Sequence, residues 1–182
     1  MKVLKRLFAA LRRDWKSHLG TLLMVLVIFA GAQAWQTRHV PSGLAPDFAL
    51  TLIQPDGSHT DTTLATWRTA HPGQPVALHV WADWCPICRT EEHSVTRLSR
   101  DHPVLTVAMQ SGPADKVRKV LVQRQLPWAT AVDPRSEIAR ALGVASVPAF
   151  MVVDAHGRLR TPTAGYTSEL GMRLRLLWAR FF

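Results

Sequence analysis

The sequence predicts an α/β fold, a central mixed sheet flanked by helices, with one transmembrane helix ahead of it. Three observations predict it. From about residue 75 onward, short apolar runs alternate with segments of helical periodicity, as in sheets whose strands are joined by helices. Near its end the chain reads strand, turn "DAHG", strand, which adds an antiparallel hairpin at the sheet edge. And residues 17–37 contain no Asp, Glu, Lys or Arg.

At 182 residues the chain holds one domain plus a short appendage. It is 47% hydrophobic and 19% charged, a globular composition. The net charge of +9 is uneven. Residues 1–35 hold six basic side chains and the single acid Asp14, leaving 16 basic against 12 acidic residues in the rest. No Lys/Arg face with interleaved aromatics occurs, so nucleic-acid binding is not indicated.

The elements follow in order. Residues 1–18 read as a basic segment, with Val3, Leu4, Leu7, Phe8, Leu11 and Trp15 at helical spacing, suited to lying along the cytoplasmic face of a membrane. Residues 19–36 read as a signal-anchor helix, bracketed by Trp15 and Trp35. The preceding positive charges put Met1 in the cytoplasm and the rest of the chain across a bacterial inner membrane, in the periplasm. Ala32-Gln33-Ala34 also fits a signal-peptidase site; the long basic lead favours retention. Residues 37–182 form the exported domain, opening on a linker, residues 37–45.

Next come a strand, a turn at Asp56-Gly57 and a return strand, then a helical turn at "TLATWRTA". Pro75–Trp81 is an apolar run, expected of a strand buried on both faces. The pattern turns helical from Cys85 to about Arg100. Pro103–Met109 and "WATAVD" are further strands, separated by a helix with Val117, Val120, Leu121 and Arg124 at helical spacing. "SEIARAL" is a short helix closed by Gly143 in the C-cap position. Phe150–Val153 and Arg158–Thr161 make the hairpin. The terminal helix has Leu170, Leu174, Leu177 and Trp178 on one side.

The chemistry lies in "HVWADWCPICRTEE", residues 79–92, which holds the chain's two cysteines. A ring from Cys85 to Cys88 closes almost no loop and so constrains the unfolded chain little; the spacing indicates a dithiol–disulfide couple. At a strand-to-helix junction Cys85 falls at the helix cap. Free first-turn N–H groups and the helix dipole stabilise an anion there, which favours the thiolate. Pro86 fits the next position, where a missing N–H costs nothing. Cys85 is therefore the expected nucleophile and Cys88, one turn deeper, the resolving thiol. A structural zinc site wants four ligands; these two thiols, even with His93, fall short, so neither a metal nor a cofactor is expected. A copper-handling protein remains a distinct alternative class, as does a binding module with inert cysteines.

These residues resemble the active-site stretch of membrane-anchored, periplasmic thioredoxin-like oxidoreductases, the TlpA/ResA/CcmG group, and most closely the ScsD proteins of the suppressor-of-copper-sensitivity system. "APDFAL" and "DPRSEIARALGVASVPAF" extend the resemblance over residues 45 to about 175. It implies a thioredoxin fold and a cis Val147–Pro148 peptide facing Cys85. With Trp84 and Pro86 that peptide would form a groove for a partner's cysteine strand, and Phe150 would line it too, core packing being the other reading for Trp84 and Phe150. It implies periplasmic protein thiols and disulfides as substrates, in copper or oxidative stress defence, and a membrane electron donor of the DsbD/ScsB type. Glu91 stands where the family often has an acid, a candidate to exchange the proton of Cys88, whereas Glu92 reads as a solvated helix acid. Two positions depart from the pattern. His79 occupies the place of thioredoxin's buried Asp, a second candidate for proton transfer or a core histidine. Ala149 replaces the acid after the cis-proline typical of the cytochrome-c-maturation branch, which tells against the alternative of apocytochrome c thioreduction. Ala82 stands where a peroxiredoxin has Thr.

Overall fold

The computed structural model describes residues 15–181, so most of the basic segment 1–18 lies outside the described residues. The chain divides into two units, residues 1–35 and 36–182. Helix α1, Trp15–Gln36, has no buried residue. Its mean hydropathy over the most apolar window is 1.6, long and apolar enough to cross a membrane. Its 22 residues give about 33 Å at 1.5 Å each, slightly more than a hydrocarbon layer.

The second unit is built on strands β1 (Gly43–Leu44), β2 (Ala49–Ile53), β3 (His59–Thr63), β4 (Val76–Trp81), β5 (Val104–Met109), β6 (Ala129–Asp133), β7 (Ala149–Val153) and β8 (Arg158–Ala164). Helices α2 (Leu64–Thr69), α3 (Pro86–Asp101), α4 (Ala114–Gln123), α5 (Glu137–Ala141) and α6 (Glu169–Phe181) connect them. They form one sheet in the order β1-β8-β7-β4-β5-β6-β2-β3. β4, β5 and β6 run parallel; the other pairings are antiparallel.

The central strands β4 and β5 are buried at every position, which is why they read as near-continuous apolar runs, interrupted by His79 and Thr106, and not as alternation. Alternate residues feed two cores. Ala77, Trp81, Ala108, Phe150 and Val152 pack under Val95 and Leu98 of α3 and Met172, Leu176 and Ala179 of α6. Leu78, Val80, Leu105, Val107, Met151 and Val153 pack against Ile138, Ala139 and Leu142 of α5. Each large apolar side chain so buried contributes about 1.5–3 kcal/mol.

Two expectations are corrected. The linker is not free: Val40 packs on the second core, and Gly43–Leu44 pairs with Arg158–Leu159. The open edge of β8 supplies unpaired backbone groups that draw this segment in. For the same reason β8 is not the sheet edge; β1 is. In α6, Leu170, Leu174, Leu177 and Trp178 face outward and exposed, as does Phe181, while Met172, Leu176 and Ala179 face the sheet. Both sides of this helix are apolar, so periodicity alone did not tell which one packs.

Candidate active site

β4 ends at Trp81 and the chain crosses Ala82-Asp83-Trp84 to the start of α3. This short crossing is braced from several sides. The Asp83 N–H donates to Ser111 Oγ at 3.0 Å. Its carbonyl accepts from Arg124 at 3.0 Å, and its carboxylate meets Lys116 Nζ at 2.8 Å. Arg124 is held in turn by Glu92 at 2.8 Å, so Glu92 is an ion-pair partner and not a solvated acid. The Trp84 indole N–H donates to the Gln110 carbonyl at 3.2 Å, while the ring stays 54% exposed. Ser111, Gln110, Lys116 and Arg124 lie far along the chain from the cysteines, and no local motif marks them.

Cys85 is the N-cap of α3 and Pro86 its first residue. The Cys88 N–H donates to Cys85 Sγ at 3.3 Å, so one of the free first-turn donors is directed at the sulfur. Both thiols are free and nearly buried, at 4% and 2% exposure. Val147–Pro148 is cis, and the Val147 carbonyl accepts from Cys85 Sγ at 3.7 Å. Trp84, Cys85, Pro86 and Val147–Pro148 thus share one surface region, with the half-exposed Ile87 on the first turn of α3, a residue the sequence reading did not single out. Phe150 does not line this surface. It is 1% exposed in the core, opposite His79 in the β4–β7 register, because its position in β7 turns it under α3.

Glu91 and His79 meet beneath the dithiol. Each is 1% exposed, and His79 Nε2 lies 3.8 Å from Glu91 Oε2. The other carboxylate oxygen accepts from the Thr167 N–H, in the loop before α6. The imidazole stands edge-on to Trp128, centroids 6.2 Å apart. Burial lowers His79 to about 4. Burial raises Glu91 to about 7, opposed by the Thr167 hydrogen bond. Burial also pushes the Cys88 thiol well above the ordinary range; its hydrogen bond to Cys85 and the charges of Cys85 and Glu91 add to the rise. At neutral pH the imidazole is therefore uncharged and the contact is not an ion pair.

These shifts have opposite signs in stability. Between its ordinary 4.5 and about 7, Glu91 stays protonated only in the folded chain, so its stabilising effect is lost as pH rises. Between about 4 and its ordinary 6.5, His79 takes a proton only in the unfolded chain, so its penalty grows as pH falls. From 4.5 to 6.5 the two slopes cancel: folding moves one proton from imidazole to carboxyl without changing the count. Urea midpoints measured across that window are expected to fall with rising pH, relative to wild type, in His79→Leu and to rise in Glu91→Gln. Parallel curves for all three proteins contradict the assignment.

No group of three or more His, Cys, Asp or Glu that could hold a metal ion occurs among the described residues.

The fold and this dithiol define a thioredoxin-like oxidoreductase. The chain belongs to the AhpC/TSA family, whose pattern residues 41–161 match. It is 31% identical over 150 residues to the thiol:disulfide interchange protein DsbE of Allochromatium vinosum, covering 79% of each chain. It is 29% identical over 110 residues to a thioredoxin-like protein of Haemophilus influenzae, covering 60% of this chain and 65% of that one. Among solved structures, the exposed lipoprotein thioredoxin Etrx1 of Streptococcus pneumoniae superposes with a TM-score of 0.61 at 21% identity, over 73% of this chain and 99% of that one. That likeness carries the thioredoxin fold.

Proposed function

We propose that this protein is a single-pass, inner-membrane-anchored thiol–disulfide oxidoreductase. It exchanges with periplasmic protein disulfides through Cys85 and Cys88. The observation that carries the reading is Cys85 Sγ at the helix cap, accepting the Cys88 N–H beside the Val147 carbonyl. Acting as a reductase, the Cys85 thiolate attacks one sulfur of a partner's disulfide. A Cys85–partner S–S bond forms, the partner's S–S bond breaks, and its other sulfur leaves and takes up a proton. Cys88 then loses its proton to Glu91 and attacks Cys85 Sγ. The partner's second sulfur departs and is protonated, so two electrons pass to the partner and Cys85–Cys88 becomes a disulfide. A membrane donor of the DsbD/ScsB type would return those electrons. Pro86, Trp84 and Val147–Pro148 would hold the partner's strand.

Relatives named as thiol:disulfide interchange proteins support the chemistry. Helix α1 supports the anchor, and the basic residues ahead of it support an N-terminus in the cytoplasm. A role in copper or oxidative stress defence, as in the ScsD proteins, rests on the sequence resemblance. The alternative, apocytochrome c thioreduction, fits the run of relatives named DsbE and HelX; Ala149 in place of an acid stands against it.

The test is insulin disulfide reduction by the reduced full-length protein, alongside its copper and zinc stoichiometry. Reduction without stoichiometric metal is the expected result. Tight metal binding without reduction would instead establish a metal carrier. N-terminal sequencing of the mature protein is expected to return the cytoplasmic segment; a chain beginning at Trp35 rules out the anchor.

A further inference from the structure

We infer that His79 and Glu91 form one proton-sharing unit, in which His79 is a positioning residue that acts through Glu91 and not on Cys88 itself. This rests on the reading of Glu91 as the base for Cys88.

The geometry comes from three separate elements. Glu91 sits on α3, one turn beyond Cys88, and His79 on β4. The loop before α6 supplies the Thr167 N–H to Glu91 Oε1. That bond fixes which oxygen is left: Oε2 faces His79 Nε2 at 3.8 Å. Neither Oε2 nor either ring nitrogen of His79 has another hydrogen-bond partner. Three buried polar atoms without partners are costly, and these three belong to two side chains that face each other. The distance exceeds a hydrogen bond, but closing it needs a movement of only about 1 Å, within ordinary side-chain fluctuation.

The surroundings leave the pair to itself. The titratable group that acts on Glu91 from α3 is Cys88, with Cys85 beyond it at the N-cap. From β5 and β7 the register neighbours of His79 are Thr106 and Phe150; Trp128 stands at its edge. Glu169 and Arg173, at the near end of α6, are engaged at the surface with each other and with Arg97 and Asp101. The base for Cys88 is therefore set by one partner on each oxygen, Thr167 on Oε1 and His79 on Oε2. With its proton on Nε2, the imidazole donates to the ionised carboxylate and favours the form that accepts a proton from Cys88. When the Glu91 carboxylate takes that proton, it becomes neutral and Cys88 carries the negative charge into its attack on Cys85. No proton needs to leave for solvent within the step.

The decisive experiment follows resolution of a preformed Cys85–partner mixed disulfide by Cys88, as a function of pH, in the full-length protein in detergent. His79→Leu is expected to move the midpoint upward by about one pH unit, the effect of losing one donor to a charged acceptor. His79→Gln, which keeps an N–H donor, should restore part of the shift. In a Glu91→Gln background, adding His79→Leu should change nothing further. A His79 effect that persists undiminished without Glu91 overturns the inference, because His79 then acts directly. So does a His79→Leu protein that is less stable with an unmoved midpoint. If Glu91→Gln alone leaves the profile unaltered, the failure lies in the reading of Glu91 as base. NMR on the wild-type protein serves if a variant does not fold: the shifts of the neutral His79 ring nitrogens should move at the pH where the Glu91 carboxyl carbon titrates. Ring nitrogens blind to that titration overturn the unit.

Discussion

Full-length protein carrying Cys85→Ser is expected to lose disulfide reduction to background, while Cys88→Ser keeps the first step and stalls, covalently joined to its partner. The two sulfurs are chemically unequal although only one helical turn separates them. Cys85 Sγ receives the Cys88 N–H, so an anion there has a donor in place. Cys88 sits deeper, and burial resists its ionisation. On the proposed mechanism it attacks only when a base takes its proton and the target sulfur is already held against it. Removing Cys88 therefore leaves the mixed disulfide with no internal route to release. Cells expressing Cys88→Ser, quenched with acid and run without reductant, should show adducts that mass spectrometry resolves into Cys85-linked partners. The wild-type lane reports the resting redox state. Equal adduct yield from Cys85→Ser, or full turnover by Cys88→Ser, contradicts the assignment of roles.

Gly143→Ala is expected to destabilise the unit of residues 36–182 by at least about 2 kcal/mol, more than a turn glycine usually costs. Gly143 ends α5 with φ +69 and a Cβ there would lie 2.0 Å from the His39 carbonyl oxygen and 2.6 Å from the Val40 nitrogen. Both atoms are backbone, so no side chain can swing aside. The segment must lift, taking Val40 off the second core and β1 off β8. Gly57 is the control: its φ is +83 but nothing lies within 4 Å of an added Cβ, so Gly57→Ala carries the conformational cost alone, about 1 kcal/mol. Chemical unfolding of both variants separates the two contributions. A Gly143→Ala protein no less stable than Gly57→Ala shows that the segment at His39 is not a structural part of the domain.

Much of the site was legible because it is local. The apolar run ending in Trp81, the cysteine at the cap, the proline after it and the second cysteine one turn on all follow from strand and helix periodicity within ten residues. The cis Val147–Pro148 peptide was legible only through resemblance, since nothing in the residues themselves separates it from a trans bond. The bracing of Asp83 by Ser111, Lys116 and Arg124 was not legible at all. Those contacts span from 28 to 41 residues, and single polar residues leave no periodic trace. Phe150 shows the same limit: the resemblance left groove and core both open for it, and alternation along β7 sent it into the core.

By itself the sequence determined the order of strands and helices, the apolar span ahead of them, and a dithiol at a helix cap, because periodicity and caps are properties of neighbouring residues. Only the tertiary structure decided which side of α6 packs inward, that residues 40–44 join the sheet, and that Glu91 and His79 face each other with Thr167 closing the third side. Those outcomes depend on which surfaces meet across the sheet. Burial, which displaces the proton affinities of Glu91 and His79 in opposite directions, comes from that packing and from nothing in their own neighbourhood along the chain.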